Sequence, residues 1–328
     1  METVLKVVDL GKLFPAKKNK LFSRKHQFIH AVDGVTFEVK KGETFGVVGE
    51  SGCGKTTLAR LILRLEEPTS GKIFFKGQDM TSLSGPKLKR LRRQIQMIFQ
   101  DPYSSLDPRK NILNIVAEPL RVHNIAKDGL IIKEKVQEAL GLVDLPTSES
   151  FMAKVPDELS GGERQRVGVA RTLILGAEFV VADEPVSMLD ANVKAGVTSL
   201  MMELKQKIGL TYIFITHEIS LAYYICDRIA VMYLGKIVEL GNARDIINMP
   251  LHPYTRLLME AVPPLHPDDK WGTAILESGE LPLSVEPPSG CRFHPRCLQV
   301  QDICKAEEPE LVEVGKGHYV ACYHKNSS

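Results

Sequence analysis

The segment GESGCGKT at residues 49–56 places glycines, a lysine and a threonine in the pattern G-x-x-x-x-G-K-[ST]. It follows the apolar run TFGVV and precedes TTLARLILRL, whose apolar residues have helical spacing. A glycine-rich turn between a strand and a helix binds phosphate, because backbone N–H groups and the helix dipole both favour an anion there. In such a turn Lys55 supplies a positive charge to the β- and γ-phosphate oxygens, and the Thr56 hydroxyl ligates Mg²⁺. The predicted phosphate-binding residues are Gly49, Glu50, Ser51, Gly52, Cys53, Gly54, Lys55, Thr56 and Thr57.

Two carboxylates end a second apolar run, FVVADEP. Asp183 is placed to hold the metal together with Thr56, and Glu184 to polarise a water for in-line attack on the γ-phosphate. Gln100, at the end of QMIFQ, could reach the metal or the attacking water, and His217 directly follows the apolar run YIFIT. By themselves Gln100 and His217 are weak signals, since a single histidine is usually structural.

A second glycine-rich turn, LSGGERQRV at 159–167, opens another predicted helix. It has the same physical ability to bind an anion as the first turn, although more than a hundred residues separate the two. The chain therefore carries two phosphate-binding turns, and the first already suffices to hold one side of a triphosphate.

Composition is that of an ordinary globular protein: 328 residues, 44% hydrophobic, 25% charged, with a net charge of +2. The near-neutral balance does not support a general nucleic-acid binder. We interpret the basic stretches at 17–25 and 87–93 as solvated surface. No apolar run approaches the roughly 20 residues of a membrane-spanning helix. The N-terminal METVLKVVDL lacks the apolar core of a signal peptide, so we expect no export.

The pattern of elements predicts an α/β domain over residues 1–250 and a separate extension over 251–328. β-rich runs and helical patterns alternate in the first part, and strand signals fade over about 86–172, which predicts a mostly helical insertion. Proline density rises after Met249, at Pro250, Pro253, Pro263, Pro264 and Pro267, and marks a boundary.

The extension opens with a predicted helix, HPYTRLLMEA, which has Pro253 in its first turn. Tyr254, Leu257, Leu258 and Ala261 share one face of this helix. We expect it to dock the extension onto the first domain.

Four of the six cysteines crowd the end of the chain with the spacing C-x5-C-x6-C-x17-C, whereas Cys53 and Cys226 stand alone. In a reducing compartment such a group predicts a metal site, either zinc or a [4Fe–4S] cluster, and the loose spacing favours the wider cluster. A loop-rich extension with little hydrophobic core needs an additional cross-link to be stable, so we expect the metal to have a structural role. The predicted ligands are Cys291, Cys297, Cys304 and Cys322, with His294, His318 and His324 as substitutes for one of them.

Taken in order, these motifs resemble the ATP-binding-cassette (ABC) ATPases across residues 1–250. The first loop, Gln100, LSGGERQRV, FVVADE, SMLD at 187–190 and His217 have the order and spacing of that family. LKRLRRQIQMIFQDPYSSLDPR, LHPYTRLL and the cysteine-bearing end resemble its oligopeptide/dipeptide importer subfamily. The resemblance implies an α/β P-loop ABC ATPase domain with a helical insertion, plus a loop-rich C-terminal metal-binding extension, and it also suggests iron–sulfur.

The resemblance also implies roles for single residues. Asp190 belongs to the loop that communicates across a dimer, His217 is the γ-phosphate switch, and Phe14 stacks on adenine, with Phe28 as a weaker candidate. The family usually has alanine where this chain has Met188, a change that we expect to be tolerated. The signature residues are Ser160, Gly161 and Gly162.

The two phosphate-binding turns are explained by a dimer. In this family the signature turn donates to the γ-phosphate of ATP held by the other subunit, so one chain carries each half of a site once. Two chains facing head to tail would enclose two ATP molecules, and γ-phosphate loss would reopen them. The resemblance favours a related, non-identical ATPase subunit as the partner.

The implied function is the ATP-hydrolysing subunit of a membrane importer for oligopeptides or dipeptides, peripheral at the cytoplasmic face. Its further partners would be two transmembrane permease subunits, contacted through residues 101–109, and indirectly an extracytoplasmic substrate-binding protein. Subfamily relatives also move oligosaccharides or nickel.

A soluble cassette acting on nucleic acid or ribosomes is disfavoured, because Lys55 and Ser160 are too close in sequence for a long coiled coil between them and because one cassette is present. A metal-dependent redox protein with an accessory ATPase is a third alternative.

Overall fold

The computed structural model describes residues 2–16, 27–260 and 287–324, which form two compact units. The first unit comprises the described residues within 1–40, 44–82 and 216–328, and the second comprises 41–43 and 83–215. The basic stretch at 17–25, the prolines at 263–267 and Ala261 lie outside the described residues.

Twelve strands and twelve α-helices are assigned within the described residues. The strands are β1 (Thr3–Pro15), β2 (Phe28–Lys40), β3 (Thr44–Val48), β4 (Ser70–Phe75), β5 (Gln78–Asp79), β6 (Ile95–Ile98), β7 (Phe179–Asp183), β8 (Thr211–Thr216), β9 (Arg228–Tyr233), β10 (Lys236–Asn242), β11 (Val312–Gly315) and β12 (His318–Val320). The helices are α1 (Lys55–Ile62), α2 (Gly85–Leu91), α3 (Pro102–Ser105), α4 (Ile112–Val122), α5 (Gly129–Leu142), α6 (Glu149–Ala153), α7 (Gly161–Leu173), α8 (Ala191–Ile208), α9 (Ile219–Ile225), α10 (Ala243–Asn248), α11 (Pro253–Glu260) and α12 (Asp302–Ala306). Two short 3-10 turns cover Pro156–Glu158 and His294–Arg296.

The first unit contains an antiparallel sheet in the order β2-β1-β4-β5 and a second group of strands in the order β3-β9-β10-β12-β11. β3 runs parallel to β9, and Val47 lies opposite Ala230. The C-terminal strand β12 pairs antiparallel with β10, where Leu240 lies opposite Tyr319. The extension therefore continues a sheet of the first domain, which places its chain close to the elements around the first glycine-rich turn.

The second unit is built on parallel strands in the order β8-β7-β6. All residues of β7 and β8 are buried, as expected for parallel strands whose two faces are both covered. Each predicted strand is present, since TFGVV forms β3 and the two other apolar runs lie within β7 and β8.

The segment 86–98 differs from its predicted helical pattern. It is helical only up to Leu91, and Ile95–Ile98 forms β6, in which Ile95 and Ile98 are buried. Pairing with β7 supplies the backbone hydrogen bonds that decide this outcome, because so short an apolar run has no clear period of its own. Among the described residues no helix combines the length and apolar character needed to cross a bilayer.

Candidate functional site

The first glycine-rich turn connects β3 to α1, as predicted. Gly49 and Gly54 admit no side chain, because a Cβ at Gly49 would lie 2.2 Å from the Met232 carbonyl oxygen and one at Gly54 would lie 2.1 Å from that of Ala31. Gly52 and Gly54 also have φ values of 80° and 108°, which other residues rarely adopt. The backbone of β2 and β9 therefore confines the turn to one path.

Lys55 begins α1 and is 5% exposed. Its ammonium donates to the carbonyl oxygens of Gly49 at 2.7 Å and Glu50 at 2.8 Å. The lysine thus connects the start of α1 to the backbone of the turn. Thr56 follows in the first helical turn and is half-buried.

Cys53 lies inside this turn but has no features of a reactive thiol. It is 1% exposed, and burial raises its pKa above the ordinary value. Its backbone carbonyl accepts a hydrogen bond from Gly235 N at 2.8 Å. A thiol that stays protonated is a poor nucleophile, so Cys53 fills space in the turn.

Phe14, the predicted adenine-stacking residue, lies near the end of β1 opposite Ile29. It is half-buried, and the Lys12 ammonium lies 4.8 Å from its ring centroid. Phe28 lies opposite Pro15 and is 42% exposed. Both rings are accessible, and stacking on adenine stays a prediction for either one.

In the second unit the structure brings Gln100 and Glu184 together. Asp183, the last residue of β7, is 3% exposed, and Glu184 follows it with a left-handed φ of 45°. Gln100 Nε2 donates to Glu184 Oε2 at 3.1 Å. A non-glycine residue in this region of φ is strained, and such strain is concentrated at functional sites. The turn aims the Glu184 carboxylate away from the strand axis, toward Gln100.

Glu184 is further fixed through its backbone. Its N–H donates to the Ile215 carbonyl at 2.9 Å, and its carbonyl accepts from the Ser187 N–H at 3.2 Å and hydroxyl at 3.1 Å. These bonds hold the strained conformation.

The signature turn caps α7, as its sequence predicts. Ser160 Oγ accepts from the Glu163 N–H at 3.3 Å, and Glu163 Oε2 accepts from Ser160 N at 2.9 Å and Oγ at 2.7 Å. These bonds lower the Glu163 pKa, those from the Ser160 N–H first. A Cβ on Gly162 would lie 2.8 Å from Val193 Cγ1, so this glycine permits close packing on α8. Ser160 is exposed in the single chain.

Asp190 caps α8, accepting from the Val193 N–H at 3.0 Å, and it is exposed. Packing of Gly162 on Val193 therefore places the signature turn next to the helix that Asp190 caps. Met188 is 55% exposed, so its extra bulk over alanine meets no core packing within this chain. His217 is an exposed residue directly after β8.

The four C-terminal cysteines line one small cavity, together with His252, His294 and His324. Cys291 N donates to the Cys304 carbonyl at 2.8 Å, and burial raises the pKa of Cys291 to about 11. His324 Nε2 is buried without a hydrogen-bond partner. Within 2–16, 27–260 and 287–324, no group of three or more His, Cys, Asp or Glu side chains is arranged to hold a metal ion. The thiols converge on one cavity, but among the described residues the predicted metal-binding character of the extension is not supported.

The helix α11 forms where HPYTRLLMEA predicts it, but its buried face differs. Tyr254, Thr255 and Leu258 are buried, and Leu257 is only half-buried. The buried face of α11 therefore includes Thr255 where the pattern predicts Leu257. In so short a helix, packing against the rest of the fold decides which face is buried, and the hydrophobicity of single residues does not.

Two contacts to the first glycine-rich turn are not predicted by the sequence patterns. The Glu50 N–H donates to Tyr254 Oη at 2.9 Å, and the Arg296 guanidinium donates to both carboxylate oxygens of Glu50, at 2.9 and 3.1 Å. The partners are separated by 204 and 246 residues, so no local pattern indicated them.

Comparison with known proteins identifies the family. The family model "ABC transporter" matches residues 32–187, and "Oligopeptide/dipeptide transporter, C-terminal region" matches 238–304. The chain is 47% identical to the oligopeptide transport ATP-binding protein AppF of Bacillus subtilis over 98% of this chain and 97% of that one. It belongs to the ABC transporter ATPases.

Two further relatives agree with this assignment. The ABC ATPase is 42% identical to the dipeptide transport ATP-binding protein DppF of Haemophilus influenzae, over 98% of this chain and 96% of that one. The dimeric post-hydrolysis structure of the ATP-binding cassette MJ0796 with ADP and Pi superimposes with a TM-score of 0.63 at 28% identity, covering 73% of this chain and 99% of that one. The cassette fold and the ATPase class of the protein follow from these matches.

Proposed function

We propose that this ABC ATPase powers a membrane importer for oligopeptides or dipeptides. The main support for this proposal is that the chain matches peptide-transport relatives over almost its full length, including the C-terminal region that follows the cassette. Import of an oligosaccharide or nickel by the same motor is the alternative, since selectivity resides in other subunits.

The cassette residues have the following proposed roles. The glycine-rich turn and Lys55 bind the phosphates of ATP, and Glu184 accepts a proton from the attacking water. Its carboxylate is restrained by Gln100 and by its own strained backbone, which suits a group that must orient one water. His217 contacts the γ-phosphate, and Phe14 stacks on adenine.

Magnesium fits the donor set of the cassette. The buried carboxylate of Asp183, the Thr56 hydroxyl and the Gln100 amide oxygen are the hard oxygen ligands that this ion prefers. Bound Mg²⁺ would neutralise charge on the β- and γ-phosphates. Asp183 is the last residue of β7, and Thr56 lies in the first turn of α1.

We propose that two cassettes face head to tail, with Ser160, Gly161 and Gly162 contacting ATP of the other subunit. Exposure of Ser160, and of Asp190 on the neighbouring helix, supports this arrangement, and so does the dimeric state of the MJ0796 cassette. A non-identical paralogue is the proposed partner. Asp190 would connect the two sites.

The remaining proposed partners are two permease subunits and, indirectly, an extracytoplasmic binding protein, with the motor at the cytoplasmic face of the membrane. Residues 101–109 are the proposed permease contact. Phe99, directly before this segment, is 44% exposed, and Arg109 has an 87% exposed side chain. We retain 1–250, with its helical part at about 86–172, and 251–328 as the functional divisions of the chain.

We further propose that Cys291, Cys297, Cys304 and Cys322 bind a [4Fe–4S] cluster, with zinc as the alternative. Four soft donors around one cavity fit either group. Burial disfavours the thiolate form of Cys291, and a bound metal would stabilise that form. Coordination by four residues would also stabilise the fold of the extension.

The ATPase proposal is tested with Glu184→Gln. The variant retains the shape and the contact with Gln100 but removes the proton acceptor, so ATP should bind while turnover falls by about a hundredfold or more. The measurements are phosphate release and the fraction of ATP-bound dimer in size-exclusion chromatography. Turnover at the wild-type rate would eliminate Glu184 as the base.

A further inference from the structure

All three polar groups of Glu50 in the phosphate-binding turn are bonded. Its carbonyl accepts from the Lys55 ammonium, its N–H donates to Tyr254, and its carboxylate accepts both bonds from Arg296. Only the first of these bonds is internal to the turn. The other two come from residues of the C-terminal extension, so the extension is connected directly to the loop that binds phosphate.

The hydroxyl of Tyr254 is held in a fixed position. Tyr254 is completely buried, and its ring lies 4.6 Å from the ring of Tyr233 and 5.5 Å from that of Phe293. Its backbone N–H donates to His252 Nδ1 at 3.1 Å. Burial also raises its pKa, so the phenol stays neutral and accepts from the Glu50 N–H without adding negative charge beside the phosphates.

Arg296 is equally constrained. It ends the 3-10 turn His294–Arg296, directly before Cys297, and its guanidinium lies 5.8 Å from the ring centroids of Tyr233 and Phe293. The side chains of Arg296 and Glu50 are 29% and 19% exposed. A bidentate pair with this degree of burial is stronger and more directional than a solvated surface pair.

We propose that Tyr254 and Arg296 are positioning residues for ATP binding: they fix Glu50 and thereby keep the phosphate-binding turn open in the shape that accepts the triphosphate. This inference rests on the proposed role of the turn. Neither residue touches ATP in this mechanism. The C-terminal extension thus sets the nucleotide affinity of the cassette, in addition to docking onto it.

The expected effects follow from the bonds that each substitution removes. Arg296→Gln loses the two charge-assisted bonds and should weaken nucleotide binding by about tenfold. Tyr254→Phe loses one neutral bond and should weaken it by about threefold. Arg296→Lys should recover part of the loss, because an ammonium retains the charge but not the planar fork.

The experiment is equilibrium titration of the full chain with ADP and with a non-hydrolysable ATP analogue, both with Mg²⁺. Hydrogen exchange of the amides at 49–54, without nucleotide, reports the turn directly and should be faster in Arg296→Gln and Tyr254→Phe. Lys305→Ala is the matched control, because it removes an exposed ion pair with Asp302 in the same extension and should change neither measurement.

A double-substitution cycle separates positioning from general damage to the extension. If Arg296 acts through Glu50, then combining Glu50→Ala with Arg296→Gln should cost no more affinity than the larger single change. Wild-type affinity in both Arg296→Gln and Tyr254→Phe, or additive losses in the cycle, would overturn the proposal. Failure of the wild-type chain itself to bind nucleotide would instead overturn the proposed function of the turn.

Discussion

His252 makes the stability of the C-terminal junction dependent on pH. The side chain is 1% exposed, and burial lowers its pKa from 6.5 to about 4, although the Glu239 carboxylate opposes the shift. The ring is therefore neutral in the folded protein at neutral pH. In that form Nδ1 accepts from the Tyr254 N–H at 3.1 Å, which a protonated ring cannot do.

The sign and size follow from proton linkage. Below pH 6.5 the unfolded chain binds a proton at His252 that the folded chain does not, so the free energy of unfolding falls as pH falls. The loss continues until the pH reaches the folded-state pKa of about 4. A difference of about 2.5 pKa units corresponds to roughly 3 kcal/mol.

The assay compares the wild-type chain with His252→Asn, whose side-chain oxygen can still accept from Tyr254. Urea unfolding is followed by circular dichroism between pH 7.5 and 4.5. The wild-type protein should lose about 2.5 kcal/mol more than the variant across this window, because the window ends before the folded-state pKa is reached. His123→Asn is the control. His123 is only half-buried, and its pKa is lowered by burial first and then by the nearby Lys89.

Parallel pH curves for wild type and His252→Asn would refute the reasoning. That result would mean that His252 becomes protonated inside the fold, with Glu239 stabilising the charge. A difference that appeared equally in His123→Asn would point to a general acid effect instead.

Two other substitutions test the remaining assignments. Lys55→Ala should weaken Mg-ATP binding by about tenfold or more in the same titration, because it removes the ammonium that we propose binds the phosphates; unchanged affinity would contradict this role of the lysine. Cys304→Ser should lower the iron or zinc content of anaerobically purified protein and any visible absorption band, whereas Cys226→Ser, at a buried cysteine outside the group, should not. Full metal retention in Cys304→Ser would contradict binding by four thiolates.

Several elements of the cassette could be predicted from local sequence. The apolar runs of β3, β7 and β8 are continuous, as buried parallel strands require. Ser160 and Glu163 form a capping box at the spacing that the motif specifies. These features depend on neighbouring residues, and for that reason a pattern within the sequence predicts them.

Other features could not be predicted in this way. The strand β6 has four residues, and its extended form depends on hydrogen bonds to β7. The left-handed φ of Glu184 is held by bonds to Ile215 and Ser187. The sequence predicts a functional carboxylate at Glu184, but it does not predict the backbone conformation that directs this carboxylate toward Gln100.

The sequence by itself determined the chemistry of this protein: the glycines, lysine and carboxylates of an ATPase, and four thiols near its end. The tertiary structure decided which distant groups act on the same loop. Residues 254 and 296 reach Glu50 across more than 200 positions of chain, because β12 joins the sheet at β10 and brings the extension beside the phosphate-binding turn. Such contacts arise from packing of whole elements, for which the identities of single residues contain no local signal.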